Sequence, residues 1–576
     1  MSIVAQTVIH FVDSIVLCYQ TLDNNFATLS QNMSSNSIQQ LGSQAEQHNE
    51  TLWINRLPVE LLSRIFLTGD KLDEIDALES SSREKQQEFQ EIVAQVCRHW
   101  RTVVTSIPML WSYIRIDVSY PYSRAELFLA RSGNTIPLEL ELDMTGEFMK
   151  GLDKHDNHSH AARTTESLAF IVSKGGAASR WASLKVWGGL PGVLFATIDF
   201  ITGANLDNLH TLGLVNDPDD PDLLQDLVSK ALLERGTPQL ALFHNPPPLL
   251  RHVELFGIAS EFLFSNPTPP RLCNLSHLEL STIPTLPRLE SLEDLLSNNL
   301  GLESLVLDMG LVHDLYVDLR FAEPGKQVEL RSLRRFVLKE PMNTSWALFV
   351  LMMIDAPGLE MFVLDLGDTV LPRLPGAIAT YAGIGRKNGQ LLARILSESE
   401  ANELGPIYPV LKHLVIGAFP DDSDYIHHMV RQYSSISRLD WELRGSAAKA
   451  FRGLGKPPLP CPRLEHLRVR GVPSHELVYV VRSRAAQGKP IKILEVHSQD
   501  WGSIDEQMRN LLYASLERLG QYNGESDTES ETDTSTDSDT ASDSDDGSTE
   551  DSEESTEGNE DDDWVDTDEE GDSDSQ

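Results

Sequence analysis

The sequence predicts an α/β chain: a short helical module, then an irregular solenoid of strand–helix repeats, then an acidic tail without fixed structure. Three features point to it. The frame L-x-x-L-x-L, with L any large apolar residue, recurs ten times between residues 209 and 496. Two amphipathic segments, residues 57–67 and 88–106, precede it. Finally, 25 of the 87 acidic residues fall from Glu525 onward, where there is no Lys or Arg, which leaves 62 acids against 47 bases in the body. The net charge of −40 is therefore in large part a property of the tail.

Residues 1–50 combine a loose helical pattern (Ile9, Ile15, Val16, Tyr19, Leu22) with a linker rich in Ser, Gln and Asn. Asp13 interrupts the apolar stretch 9–19 and no basic segment precedes it, so it reads as neither a signal peptide nor a membrane span. The four cysteines, Cys18, Cys97, Cys273 and Cys461, lie far apart with no C-x-x-C pair. That usage fits a reducing compartment, cytoplasmic or nuclear.

Residues 51–116 form the helical module. Pro58 sits at a first-turn position, where its missing N–H is harmless. Leu61, Leu62, Ile65 and Phe66 fall at i, i+1, i+4 and i+5 and give one broad apolar face. In the second helix, Ile92, Val96, Trp100 and Val103 share a face, flanked by Val93, Cys97 and Val104. The insert 69–87 is polar and charged and reads as a surface loop, which tolerates extra length cheaply. Pro108-Met109-Leu110-Trp111 closes the module.

Residues 117–520 carry the repeats. The frames start at Leu209, Leu250, Leu275, Leu302, Leu333, Leu359, Leu411, Ile436, Leu464 and Ile491, with a weaker start at Trp181. Successive starts are 28, 41, 25, 27, 31, 26, 52, 25, 28 and 27 residues apart. Most of these spacings fall in or near the range of about 20–29 residues of leucine-rich repeats. The 52-residue interval predicts one degenerate repeat near 380–395, and the 41-residue interval holds a Pro-rich insert at 245–248. Each L-x-L pair is a short strand whose apolar residues point to one side, so single units must stack to bury them. Helices are expected over Leu289–Leu300 and Ser474–Gln487. The Asn or Cys common after such strands is mostly missing, as at Ser281-Thr282-Ile283, which argues against an asparagine ladder.

The order Leu57-Pro58-Val59-Glu60-Leu61-Leu62, Val96-Cys97-Arg98-His99-Trp100-Arg101, Pro108-Met109-Leu110-Trp111 resembles an F-box, the helical module that docks on the Skp adaptor of cullin-based ubiquitin ligases. With Leu127 to Gly133, Pro137-Leu138-Glu139-Leu140 and the late stretch 477–491, it is similar to F-box-like proteins of mushroom-type fungi over roughly residues 51–500. The resemblance implies a non-catalytic substrate-recognition subunit whose partners are a Skp adaptor with its cullin complex and a protein client. Leu57, Pro58, Leu61, Ile65, Phe66, Val96, Cys97 and Trp100 would form the adaptor-binding surface. Residues beside the strand leucines would face a client: Lys185, Trp187, Glu279, Asp308, Lys339, Asp365, Asp440, Glu442, Arg468 and Arg470. They mix both signs, and any one of them alone reads as a solvated polar side chain. No cofactor, metal, nucleic acid or membrane is expected. The alternative reading is a repeat scaffold, or a binder of basic proteins such as histones through the tail.

Other signals point to structure rather than chemistry. His252, His277, His413 and His466 share one register of the frame. Being a repeat or more apart, they predict a polar position at the start of each strand rather than a metal ladder, since zinc needs its ligands within about 2.3 Å of the ion. His155, His158 and His160 read as lying in a polar loop without cysteines. Gly383 to Gly389 lacks the G-K-[ST] ending of a phosphate loop. No G-x-S-x-G or H-E-x-x-H occurs. In the tail, Ser526, Thr534, Thr536, Ser542 and Ser548 have an acid three residues on, a pattern favoured by acid-directed kinases, and Trp564 is its lone aromatic.

Overall fold

A computed structural model describes residues 53–79, 89–153, 156–216, 242–243, 245–258, 272–282, 286–309, 327–340, 344–365, 408–419, 430–443 and 451–523. All of them belong to one unit, Ser2–Ser526. The expected helix within 1–50, the degenerate repeat, the glycine-rich segment and the acidic tail lie outside them.

The chain is α/β. Among the described residues fourteen strands form one parallel sheet, and they lie side by side in chain order. They are β1 (Tyr113–Ile116), β2 (Leu138–Met144), β3 (Trp181–Gly188), β4 (Thr211–Asn216), β5 (His252–Phe256), β6 (His277–Ser281) and β7 (Ser304–Asp308). They continue with β8 (Arg335–Lys339), β9 (Met361–Asp365), β10 (His413–Phe419), β11 (Arg438–Leu443), β12 (His466–Arg470), β13 (Ile493–His497) and β14 (Arg518–Tyr522). A separate short pair joins Val328–Glu329 to Ile354–Asp355.

Every repeat frame seen in the sequence falls on one of these strands. The apolar residues of each frame are buried: Leu275, Leu278 and Leu280 in one, Leu464, Leu467 and Val469 in another. Register is strict. Leu278 pairs with Val253 on one side and Leu305 on the other, and Leu280 with Leu255 and Leu307. A slip of one residue would turn every such leucine to the other face. β9 pairs directly with β10, Met361 opposite His413, so the frames on either side of the 52-residue interval are neighbours in the sheet.

Strand starts are tied by a second ladder. The Arg251 carbonyl accepts from the amides of Ser276 and His277, and the Lys412 carbonyl from those of Ser437 and Arg438. Strand ends use backbone rather than an asparagine ladder. The amide of Gly257 donates to Ser281 O, that of Thr282 to Asp308 O and that of Glu340 to Asp365 O. Gly257 has φ +66°, and a Cβ there would stand 2.4 Å from Asn216 O, so only glycine fits.

Helices cover one face. They include α4 (Ser123–Ser132), α5 (Asn157–Ser173), α6 (Pro191–Gly203), α7 (Leu289–Ser297), α8 (Thr344–Met353) and α9 (Ser474–Ala486). α7 and α9 lie where the sequence places them. α6 is apolar nearly all round and buried, packed between α5 and strands β3 and β4. The stretch holding His158 and His160 is helical, not a loop. Asp156 caps α5 by accepting from the amides of His158 and Ser159, and the His160 ring bonds Asp153 O at 3.0 Å. Among the described residues no helix is long and apolar enough to cross a membrane.

Candidate functional site

The N-terminal module begins with a 3-10 turn, Trp53–Arg56, followed by α1 (Val59–Glu79), α2 (Phe89–Val96) and α3 (Arg98–Thr105). α1 is longer than its apolar pattern suggests. It continues past Leu67 into the segment expected to be loop, and Gly69 there is seated against Phe89. A Cβ at Gly69 would lie 2.3 Å from the Phe89 ring. The second predicted helix is two. Cys97 is extended (φ −159°, ψ 169°) and ends α2, and its Sγ accepts from the Trp100 amide at 3.4 Å to cap α3.

Leu62 and Phe66 point inward from α1, and Trp100, Val103 and Val104 inward from α3. The Phe66 and Trp100 rings pack with centroids 5.1 Å apart. The Trp100 indole N–H donates to Asn55 Oδ1 at 2.6 Å, which fixes the opening turn to α3. Phe66 and Trp100, read from the sequence as contact residues, are thus core. Pro58 and Leu61 remain exposed, Leu61 at 47%, while Leu57, Ile65, Val96 and Cys97 are half-buried. The structure adds three exposed apolar side chains that sequence reasoning missed: Trp53 (66%), Val59 (47%) and Met109 (55%). Met109 lies on the turn Pro108–Trp111, which packs against α1. Trp53 could have been found from its sequence place, four residues before Leu57 at the end of a polar linker.

Residues that alternate with the buried leucines form the other face of the sheet. All ten predicted client residues lie there. Lys185, Glu279, Asp440 and Arg468 occupy a central row, and Trp187, Asp308, Lys339, Asp365, Glu442 and Arg470 the row beyond it. The central row is not polar throughout. Val306, Val337 and Val363 are buried together, with Met361 and Val415 against them.

Several of these polar groups are not simply solvated. Arg438 makes two bonds to Asp440, at 3.1 and 3.2 Å, and His413 Nε2 lies 3.2 Å from the same carboxylate. Burial works to raise the Asp440 carboxyl, but His413 and Arg438 outweigh it and hold Asp440 below the usual range. Glu495 accepts from both His466 and Arg468 at 3.0 Å. The His466 bond first, with the Arg468 charge, brings Glu495 down to about 2. Arg468 also stacks 4.6 Å over Tyr522, two residues past the expected end of the repeat region, and Arg470 pairs with Glu442 at 3.1 Å. Asp440 and Arg468 are buried in this belt.

A pH dependence follows. A depressed carboxyl stabilises the fold above its unfolded value, near 4.5, and that contribution is lost as pH falls through about 2. Discounted for partial exposure, its size is about 1–2 kcal/mol. Glu495→Gln should lower urea-unfolding stability by that amount at pH 7 and flatten the loss of stability between pH 4.5 and 2. An unchanged acid limb would show that the pair does not hold β12 to β13.

His252 and His277, a repeat apart in sequence, are one strand apart in space. Their rings stack at 4.0 Å and 3°. His413 and His466 are separated by the strand bearing Arg438. The four histidines therefore do not form a ladder, but two of them do meet.

The chain matches no protein-family model and no curated protein.

Proposed function

We propose that this chain is an F-box protein with leucine-rich repeats, the substrate-recognition subunit of a Skp–cullin-type ubiquitin ligase. The observation that carries the reading is the packing of the two motif segments into one helical unit that still leaves Pro58 and Leu61 outside. Pro58, just before α1, and Leu61 and Ile65 on it stand beside the buried row Leu62 and Phe66. Burying a large apolar side chain contributes ~1.5–3 kcal/mol, so a few such residues support a specific contact. Support for the repeat half is the parallel sheet in chain order, with each frame on its own strand. Its outer face would hold the client, and the protein would act by proximity, raising the local concentration of client lysines near a charged conjugating enzyme.

The test is co-purification of the full chain with a Skp-type adaptor. Pro58→Ala with Leu61→Asp should cut adaptor recovery by about tenfold or more. Because both side chains are exposed, the melting temperature should hardly change. Undiminished recovery contradicts the reading. A salt-sensitive complex with histones, formed without adaptor, would instead favour the acidic scaffold.

A further inference from the structure

We propose that His252, Glu254 and His277 form a binding site for a divalent transition ion of the zinc class, on the outer face of the sheet. This does not rest on the F-box reading and would stand if that reading failed. β5 and β6 are neighbours in register, with His252 opposite His277 and Glu254 opposite Glu279. Identical rows on adjacent parallel strands place the two imidazoles side by side, stacked with centroids 4.0 Å apart. One donor atom from each of His252, Glu254 and His277 lies within 4.8 Å of the others. Two nitrogens on a tetrahedral zinc stand about 3.3 Å apart, given Zn–N bonds of about 2.0–2.1 Å. Because each lone pair lies in its ring plane, binding one ion would swing the rings out of their parallel stack by roughly tens of degrees, so that the two nitrogens converge on it.

Two details of the cluster favour an ion over a plain polar network. His277 Nε2 is buried and has no hydrogen-bond partner, its closest carboxylate contact being Glu279 at 3.9 Å. Meanwhile His252 Nε2 and Glu254 Oε1 approach to 2.6 Å, held by a shared proton. An ion seated at the ring edges takes the place of that proton, which leaves to solvent, and gives His277 Nε2 a partner. Imidazole with carboxylate is a donor set that suits zinc, copper and nickel. Three protein donors leave a fourth position open for water or for Glu279.

The other histidines of the same row lack this arrangement. Arg438 occupies the carboxylate beside His413, and Arg468 the one beside His466, so a cation already neutralises each. At the proposed site the competing cation is Lys185, whose Nζ stands 3.8 Å from Glu254 Oε2. It reaches there across Gly213, which places no side chain between.

The experiment uses the full chain, stripped with chelator, and Zn2+ alone in a calorimetric titration, with Co2+ in parallel for its visible spectrum. The expected result is one tight equivalent, with a four-coordinate Co2+ absorption, weakening as pH is lowered because protons compete for the ligands. His252→Gln with His277→Gln should remove that equivalent, and Glu254→Gln should weaken it by about tenfold or more. His466→Gln, in the same row, should leave it intact and serves as the control for weak binding by the acidic tail. Circular dichroism reports whether each variant is folded. If the double variant does not fold, the Glu254→Gln titration decides. A tight equivalent that survives these substitutions in folded protein, or the absence of any equivalent tighter than the tail's background, overturns the proposal.

Discussion

Trp111→Ala should destabilise the chain by about 3–5 kcal/mol, the range for removing a buried aromatic. Trp111 is 1% exposed and stands at the join between the N-terminal helices and the sheet. Three contacts meet on it. The indole N–H donates to Val104 O at 3.0 Å, the Phe128 ring lies edge-on at 5.0 Å, and the Arg131 guanidinium stacks at 4.2 Å. These reach back to α3 and forward to α4, while the chain itself runs directly into β1. The cavity outweighs the lost hydrogen bond, and two substitutions separate them. Trp111→Phe keeps most of the volume and loses the N–H, which costs about 1 kcal/mol net. Trp111→Ala loses both. Urea unfolding followed by far-UV circular dichroism should therefore rank wild type, Phe and Ala with unequal steps, the second much the larger. Equal steps would mean that the indole bond, not the packing, holds the junction.

The same residue shows what the sequence made legible. The repeat frames were readable because each L-x-L alternation must place two side chains in the core, and a frame lacking them could not stack. Trp111, Ile114 and Ile116 fit that frame as Trp181, Leu184 and Val186 do, so β1 was within reach. β14 was not, since Gln521 stands where the third apolar residue belongs. The break at Cys97 was hidden because the 3.6-residue period of Val96, Trp100 and Val103 runs on across it. Only the backbone turn and its Sγ cap mark the boundary. Apolar period alone could not separate docking from core on α1 either. Leu61 and Leu62 are adjacent in the chain and equally apolar, yet one is 47% exposed and the other fully buried. The direction of the core, set by Trp100 and Val93, decides between them. Ion pairs of the outer face were invisible for a different reason. His466 and Arg468 share Glu495 from 29 and 27 residues away, a distance that means nothing until the repeats are stacked. The same holds for His252 and His277, where sequence separation suggested isolation and stacking brought contact.

Arg484 offers the second large effect, and here polar loss outweighs apolar loss. It is fully buried on α9, where a charged side chain survives only with partners. Its guanidinium donates to three backbone carbonyls of the connection before β12: Leu454 O at 3.2 Å, Pro460 O at 3.0 Å and Cys461 O at 2.8 Å. Burial lowers the Arg484 pKa from its ordinary value, which still leaves the group charged at neutral pH. Arg484→Met keeps the aliphatic bulk and orphans Leu454 O and Pro460 O, while Cys461 O keeps the Leu464 amide at 3.0 Å. At about 1–3 kcal/mol for each unsatisfied buried group, the loss should reach about 3 kcal/mol or more. Arg484→Lys restores a charge but not the planar fork, so it should recover only part. Cys461 supplies a local readout. Its thiol is buried, donates to Val430 O at 3.2 Å, and is pushed up to about 12 by burial, so alkylation at pH 8 should be very slow in the wild type. Freeing the 454–461 connection exposes the thiol and returns it toward its ordinary reactivity. Iodoacetamide labelling of Cys461, followed by peptide mass spectrometry, should therefore accelerate by at least about tenfold in Arg484→Met, given how strongly thiolate fraction and access control the rate. Labelling that stays slow while global stability falls would place the damage in α9 itself rather than in the connection that Arg484 holds.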